Sequence, residues 1–149
     1  MFRILHLSDI HIGKTYKEPE DIACKIISDI SYNRLAEIDC VVVTGDIFDG
    51  QVEYTDALKN KAVAFFETLI KEINYNQENK KITKDDVIFV PGNHDLIRDN
   101  NEEVRWKKYS DFLQTLYGGI PDFYNSTNFS LYKEYKEQKI AFVGFNVSA

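Results

Sequence analysis

The chain has 149 residues, 44% of them hydrophobic and 28% charged, a balance that supports one globular domain with a real core. A net charge of −6 and a pI near 5.1 exclude a surface basic enough to hold duplex DNA by counterion release alone. No window approaches the run of about 18 apolar residues that a membrane span needs, and the opening residues turn polar too early for a signal peptide, so the expectation is a cytoplasmic chain with no membrane partner.

Phe2 to Ser8 ("FRILHLS") reads as a first strand, bounded by a polar stretch through Glu18. Pro19 then opens a helix in which Ile22, Ile26, Ile27 and Ile30 recur at helical spacing. "CVVVTGD" from Cys40 is apolar on consecutive residues, the pattern of a parallel strand buried on both faces. A second helix is expected from Tyr54 to about Ile73, with Leu58, Ala62, Phe65, Phe66 and Leu69 on one side. After a solvated Asn- and Lys-rich connection, "VIFV" at Val87 to Val90 is the third strand. Glu102 to Tyr117 reads as a third helix, with Trp106, Tyr109, Phe112 and Leu113 in its core stripe and "GGIP" as its stop. "FSLYKEY" and "KIAFVGFNVS", split at Glu137 and Gln138, predict an antiparallel hairpin. The fold class is α/β: a mostly parallel sheet with flanking helices and a C-terminal hairpin. Cys24 and Cys40 lack metal or disulfide spacing and read as buried thiols. His6, alternating with Leu5 and Leu7, reads as a satisfied buried or half-buried imidazole.

Loops leaving the carboxyl ends of parallel strands gather at one edge, where ligands bind in open α/β sheets. Three such exits are unusually polar here: "SDIH" with Asp9 and His11, "TGDIFD" with Asp46 and Asp49, and "GNHD" with Asn93, His94 and Asp95. In an extended segment residues two apart point the same way, so Asp9 and His11 can face one ion. The Asp46 carboxylate can bridge two ions, and the Asn93 amide oxygen adds a neutral ligand. Gly45 and Gly92 let the backbone turn sharply beside them. Asp49 fits either a place beside the ligands or a turn, and Arg98 either a phosphate contact or plain surface. Lys14 and Tyr16 border the substrate or are simply solvated.

D-x-H, then G-D-x-x-D, then G-N-H-D, in this order at strand exits, resembles the calcineurin-like metallophosphoesterase superfamily, and specifically the N-terminal half of its domain. The resemblance covers essentially the whole chain. It implies a metal-dependent phosphoesterase with two divalent ions (Mn, Fe, Zn, Ni or Mg) that cleaves phosphomonoesters or phosphodiesters through a metal-bound hydroxide. Asp9 and His11 would bind the first ion, Asp46 would bridge, and Asn93 would bind the second. His94 would protonate the leaving oxygen, oriented by Asp95. "ILHLSDIHIGK" and "DVIFVPGNHDLIR" are most similar to cytosolic bacterial members grouped with cyclic-nucleotide phosphodiesterases, while "GDIFD" is also similar to the DNA-repair exonuclease branch, so the resemblance implies a phosphoester substrate, with a nucleotide or a nucleic-acid end among the candidates.

The family pattern continues with a lone His and a G-H-x-H element that complete both metal sites, whereas the histidines here are His6, His11 and His94. The expectation is therefore a truncated domain over residues 1–149, the first half of a four-layer αββα sandwich, with one ion or none firmly held and a sheet face open to self-association. A noncatalytic regulatory or interaction module with an incomplete metal site is the alternative from another class.

Overall fold

A parallel strand pair cannot be closed by a tight turn, so each return must run through a crossover, usually a helix. The computed structural model, which describes residues 1–13, 19–32 and 37–145, follows that rule. Strands β1 (Ile4–Leu7), β2 (Cys40–Thr44) and β3 (Val87–Val90) form a parallel sheet in the order β1-β2-β3. Ile4 stands opposite Cys40, and Val41 opposite Val87. Helices α1 (Pro19–Tyr32), α2 (Asp56–Asn76) and α3 (Glu102–Tyr117) follow the three strands in turn. Lys14, Tyr16, the side chain of Ile30 and the end of the last apolar run lie outside what is described.

Caps fix where the helices begin and end. The Thr55 hydroxyl accepts the Leu58 N–H at 3.2 Å, so α2 starts at Asp56 rather than Tyr54. Asn101 caps α3 by accepting the Glu103 N–H, and Gly118 ends it in the left-handed conformation that a residue with a Cβ adopts at a cost. Tyr54 and Lys59 both donate to Asp111, at 3.1 and 3.2 Å, which ties α2 to α3.

The helices line the sheet face that carries Val41, Val43 and Phe89, all fully buried. Phe89 of β3 meets Phe66 of α2 edge to face at 4.7 Å and Phe112 of α3 at 5.3 Å. Phe112 in turn meets Phe48, in the loop after β2, at 5.5 Å. Such pairs add about 0.5–1.5 kcal/mol each beyond their buried area, and this chain of rings fixes the β2 exit to the core.

The opposite face is covered unevenly. Strands β4 (Leu131–Tyr135) and β5 (Ile140–Gly144) form the expected antiparallel hairpin, turning through Lys136–Gln138 and a left-handed Lys139. Tyr135 and Phe142 lie against Phe2, at ring separations of 4.9 and 6.3 Å, and close packing at Gly144 brings the hairpin onto Val90. Cys40 is buried there, and burial pushes its thiol up to about 11. Within β2, burial on both faces therefore holds only in part: Thr44 at its end is exposed, and on β1 Ile4, opposite Cys40, is 48% exposed. Two further expectations are corrected. Cys24 is exposed on α1, and His6 is exposed on the open face, its Nε2 2.6 Å from the Thr44 hydroxyl.

At β3 three of the backbone groups turned away from β2 bond to tyrosines. The Phe89 N–H donates to the Tyr124 hydroxyl at 2.8 Å, and the Phe89 carbonyl accepts from Tyr109 and Tyr124, each at 3.1 Å. The Tyr117 hydroxyl donates to the Val87 carbonyl.

Candidate metal centre

Beyond their last paired residues the exits of β1 and β2 stay laced together. Asp9 N–H donates to the Gly45 carbonyl at 3.2 Å, His11 N–H to Asp46 at 3.0 Å and Ile12 N–H to Ile47 at 2.8 Å; Asp49 N–H returns to Ile12 at 3.0 Å. Gly45 N–H donates to the Val90 carbonyl at 2.8 Å, which brings in the third exit. Within this lacing the backbone turns left-handed at Asp9 (φ 54°), His11 (φ 51°) and Asp46 (φ 52°). Each costs on the order of 1 kcal/mol or more, and such strain gathers where the surrounding structure holds it for a purpose. It also corrects the sequence reading of D-x-H. Asp9 and His11 do approach, with Asp9 Oδ1 3.9 Å from His11 Nε2, but through two left-handed residues and not through strand alternation.

Donor atoms of His11, Asp46 and His94 all lie within 4.8 Å of one another. The Asp46 carboxylate is the hub: Oδ1 accepts the His94 backbone N–H at 3.2 Å, and Oδ2 lies 3.8 Å from His94 Nδ1. The His11 and His94 rings are 5.5 Å apart. Gly50 lies flat against the His94 ring, where a Cβ would fall 2.7 Å from Cδ2. Asp9 stands at the rim, its side chain 67% exposed, and Asn93 is exposed. His11, Asn93, His94 and Arg98 line a cleft of about 570 Å³.

A family model for calcineurin-like phosphoesterases matches residues 2–146. The chain belongs to this family. No curated protein matches it. As a calcineurin-like phosphoesterase it is a metal-dependent phosphoester hydrolase, and the donor set suits that chemistry. Two imidazoles and a carboxylate are ligands that Zn, Mn, Fe and Ni accept. Among the described residues, His94 Nδ1 is the buried side-chain polar atom left without a hydrogen-bond partner, and it faces Asp46. A buried nitrogen left unpaired beside a carboxylate and a second imidazole is what a cation would satisfy. No helix among the described residues is long and apolar enough to cross a membrane.

The other candidate residues divide by what they touch. Asp95 is fully buried, but its oxygens accept the backbone N–H groups of Phe48 at 3.1 Å and Gly92 at 2.9 Å. It thus pins the β3 exit to the β2 exit and makes no bond to the His94 ring that it was expected to orient. Burial raises its pKa above the ordinary carboxylate range, with the two N–H bonds and Lys108 opposing. Asp49 is buried and accepts the Gln51 N–H at 2.8 Å, a turn contact, while lining the cleft.

Sequence reasoning missed Lys108. Its Nζ donates to the His94 carbonyl at 2.6 Å and lies 4.7 Å from the center of the Phe48 ring. Burial pulls its pKa below the usual lysine range, opposed by Asp95, Asp46 and Asp49. One signal was available: Lys108 lies one helical turn before Phe112, on the apolar stripe of α3.

Proposed function

We propose that this phosphoesterase hydrolyses phosphodiesters with two divalent ions held by Asp9, His11, Asp46 and Asn93, and that His94 serves the leaving oxygen. The observation that carries the reading is the convergence of His11, Asp46 and His94, whose donor atoms lie within 4.8 Å of one another, with His11 and His94 lining the cleft. When bound, the ions supply Lewis acidity toward the phosphoryl oxygens and lower the pKa of water. The chain does the rest. Asp46, whose carboxylate accepts the His94 N–H, would be the ligand shared by the ions. The His94 ring, backed by Gly50, delivers a proton to the departing alkoxide, a task for which imidazole is suited near neutrality. Arg98, on the same cleft wall, is placed to meet a substrate oxyanion.

The cleft, which sets His11, Asn93, Arg98 and Lys108 beside Val52, Leu96 and Ile97, supports a nucleotide or a nucleic-acid end over an apolar ester, and manganese is the ion to load first. The test is metal content and the rate on bis-p-nitrophenyl phosphate, with Asp46→Ala and His94→Ala beside the unsubstituted chain. Bound Mn²⁺ with a rate that both variants lose supports the reading, whereas an equal rate in all three chains overturns it. Cyclic nucleotides and single-stranded DNA ends, compared in the same assay, separate the two substrate branches.

A further inference from the structure

An ammonium taken out of water is costly unless its donors are met, and α3 buries one directly beneath the site. Lys108 is 6% exposed and sits between the core residues Tyr109 and Phe112 on one side and the cleft on the other. Among the described residues no carboxylate reaches its Nζ at ion-pair distance. Its short bond goes instead to the backbone carbonyl of His94, at 2.6 Å, with the faces of Phe48 and Tyr54 at 4.7 and 5.5 Å below it. Among the described residues the His94 ring has no hydrogen-bond partner at its Nδ1. Its direction is set by what grips its backbone: the N–H on Asp46 Oδ1, the carbonyl on Lys108 Nζ, and the packing of Gly50 against the ring.

We propose that Lys108 is a positioning residue of the phosphoesterase site, one that holds the His94 carbonyl and so aims the His94 ring at Asp46 and His11. The role assigned to His94 in catalysis rests on the function proposed above; the positioning itself does not. Phe48 and Tyr54 form a rigid floor under the ammonium, so the reach from α3 to the His94–Asp95 peptide is fixed by the core. Without the donor, that peptide unit keeps only the Asp95 N–H bond to the Gly92 carbonyl, at 3.2 Å, its carbonyl is left unheld, and the ring shifts from the carboxylate it faces.

Two variants test this, Lys108→Met, which keeps length and burial but removes the donor, and Lys108→Arg, which keeps a cationic donor. Two readouts are taken on the full chain: carbon and nitrogen NMR of His94 against core methyls of Leu58 and Leu69, and kcat and KM on bis-p-nitrophenyl phosphate with Mn²⁺. The expected result in Lys108→Met is displaced His94 carbonyl and ring resonances with unmoved core methyls, and kcat lower by about tenfold or more at a KM within about twofold. Lys108→Arg should restore part of both. A folded Lys108→Met with unmoved His94 resonances overturns the proposal, as does a loss of rate that only follows the loss of folded protein. If Lys108→Met does not fold, Lys108→Gln takes its place under the same criteria. Should the unsubstituted chain hydrolyse nothing, the phosphodiesterase reading fails, and the His94 resonances still decide the role of Lys108.

Discussion

Gly92 and Asp46 are in contact at the closest distance the backbone allows: a Cβ on Gly92 would lie 2.2 Å from Asp46 Oδ1 and 2.4 Å from its backbone nitrogen. The glycine of G-N-H-D is thus the space in which the carboxylate of G-D-x-x-D stands. Gly92→Ala must move either the β3 exit or Asp46, and overpacking of this kind costs about 1–3 kcal/mol. We expect Mn²⁺ binding, read by calorimetry, to be lost along with that stability. A variant that binds Mn²⁺ as tightly as the parent would show that Asp46 does not anchor the ion.

Asp9 is strained and exposed at once, so its backbone cost and its proposed ligand role can be separated. Asp9→Gly places at φ 54° the residue that tolerates it best. The metal-free chain should be more stable by about 0.5–1 kcal/mol in urea unfolding with chelator. With Mn²⁺ present the order should reverse, because the parent gains binding energy that the variant lacks.

Tyr124→Phe removes one oxygen and leaves the Phe89 N–H buried without an acceptor. An unmet buried donor costs about 1–3 kcal/mol. The Phe89 amide should also exchange faster with solvent than its neighbours Ile88 and Val90, and uniform protection across the strand would count against the assignment.

Acid stability should report on Asp39, which accepts the Arg3 N–H at 2.7 Å and the Lys80 ammonium at 2.6 Å. Burial alone would raise its pKa, but these two bonds and the Lys80 charge lower it below the usual value. An acid with a depressed folded pKa adds stability above its unfolded pKa of about 3.9, and that stability is lost as pH falls through the folded value. Asp39→Asn should therefore cost about 1–2 kcal/mol near neutrality. The gap between variant and parent should close in more acid solution, as read by urea unfolding over a pH series.

The strands and helices were legible because their signals are local. Consecutive apolar residues marked β2 and β3, and the spacing of Trp106, Tyr109, Phe112 and Leu113 gave α3 with its bounds. The three polar exits were legible because topology brings such loops to one edge. What was not legible depends on contacts between distant segments. Nothing local tells that Asp9, His11 and Asp46 turn left-handed, since the lacing between two loops imposes it. Asp95 was taken for the partner of its neighbour His94, but its acceptors are claimed by Phe48 and Gly92. Lys108 reads as solvent-facing by residue type; its place on the apolar stripe of α3 is the one local hint, and the Phe48 ring beside its ammonium comes from a distant segment.

The tyrosine hydroxyls on β3 also decide in which direction the sheet can grow. A strand edge normally offers alternating donors and acceptors to any passing chain, and is a hazard for aggregation. At Phe89 those groups are already taken by Tyr109 and Tyr124, and at Val87 the carbonyl is taken by Tyr117. A fourth strand would have to displace two buried rings and the half-buried Tyr117 to dock there, so β3 is sealed as a template, and among the described strands of this sheet β1 is left as the edge from which it could lengthen.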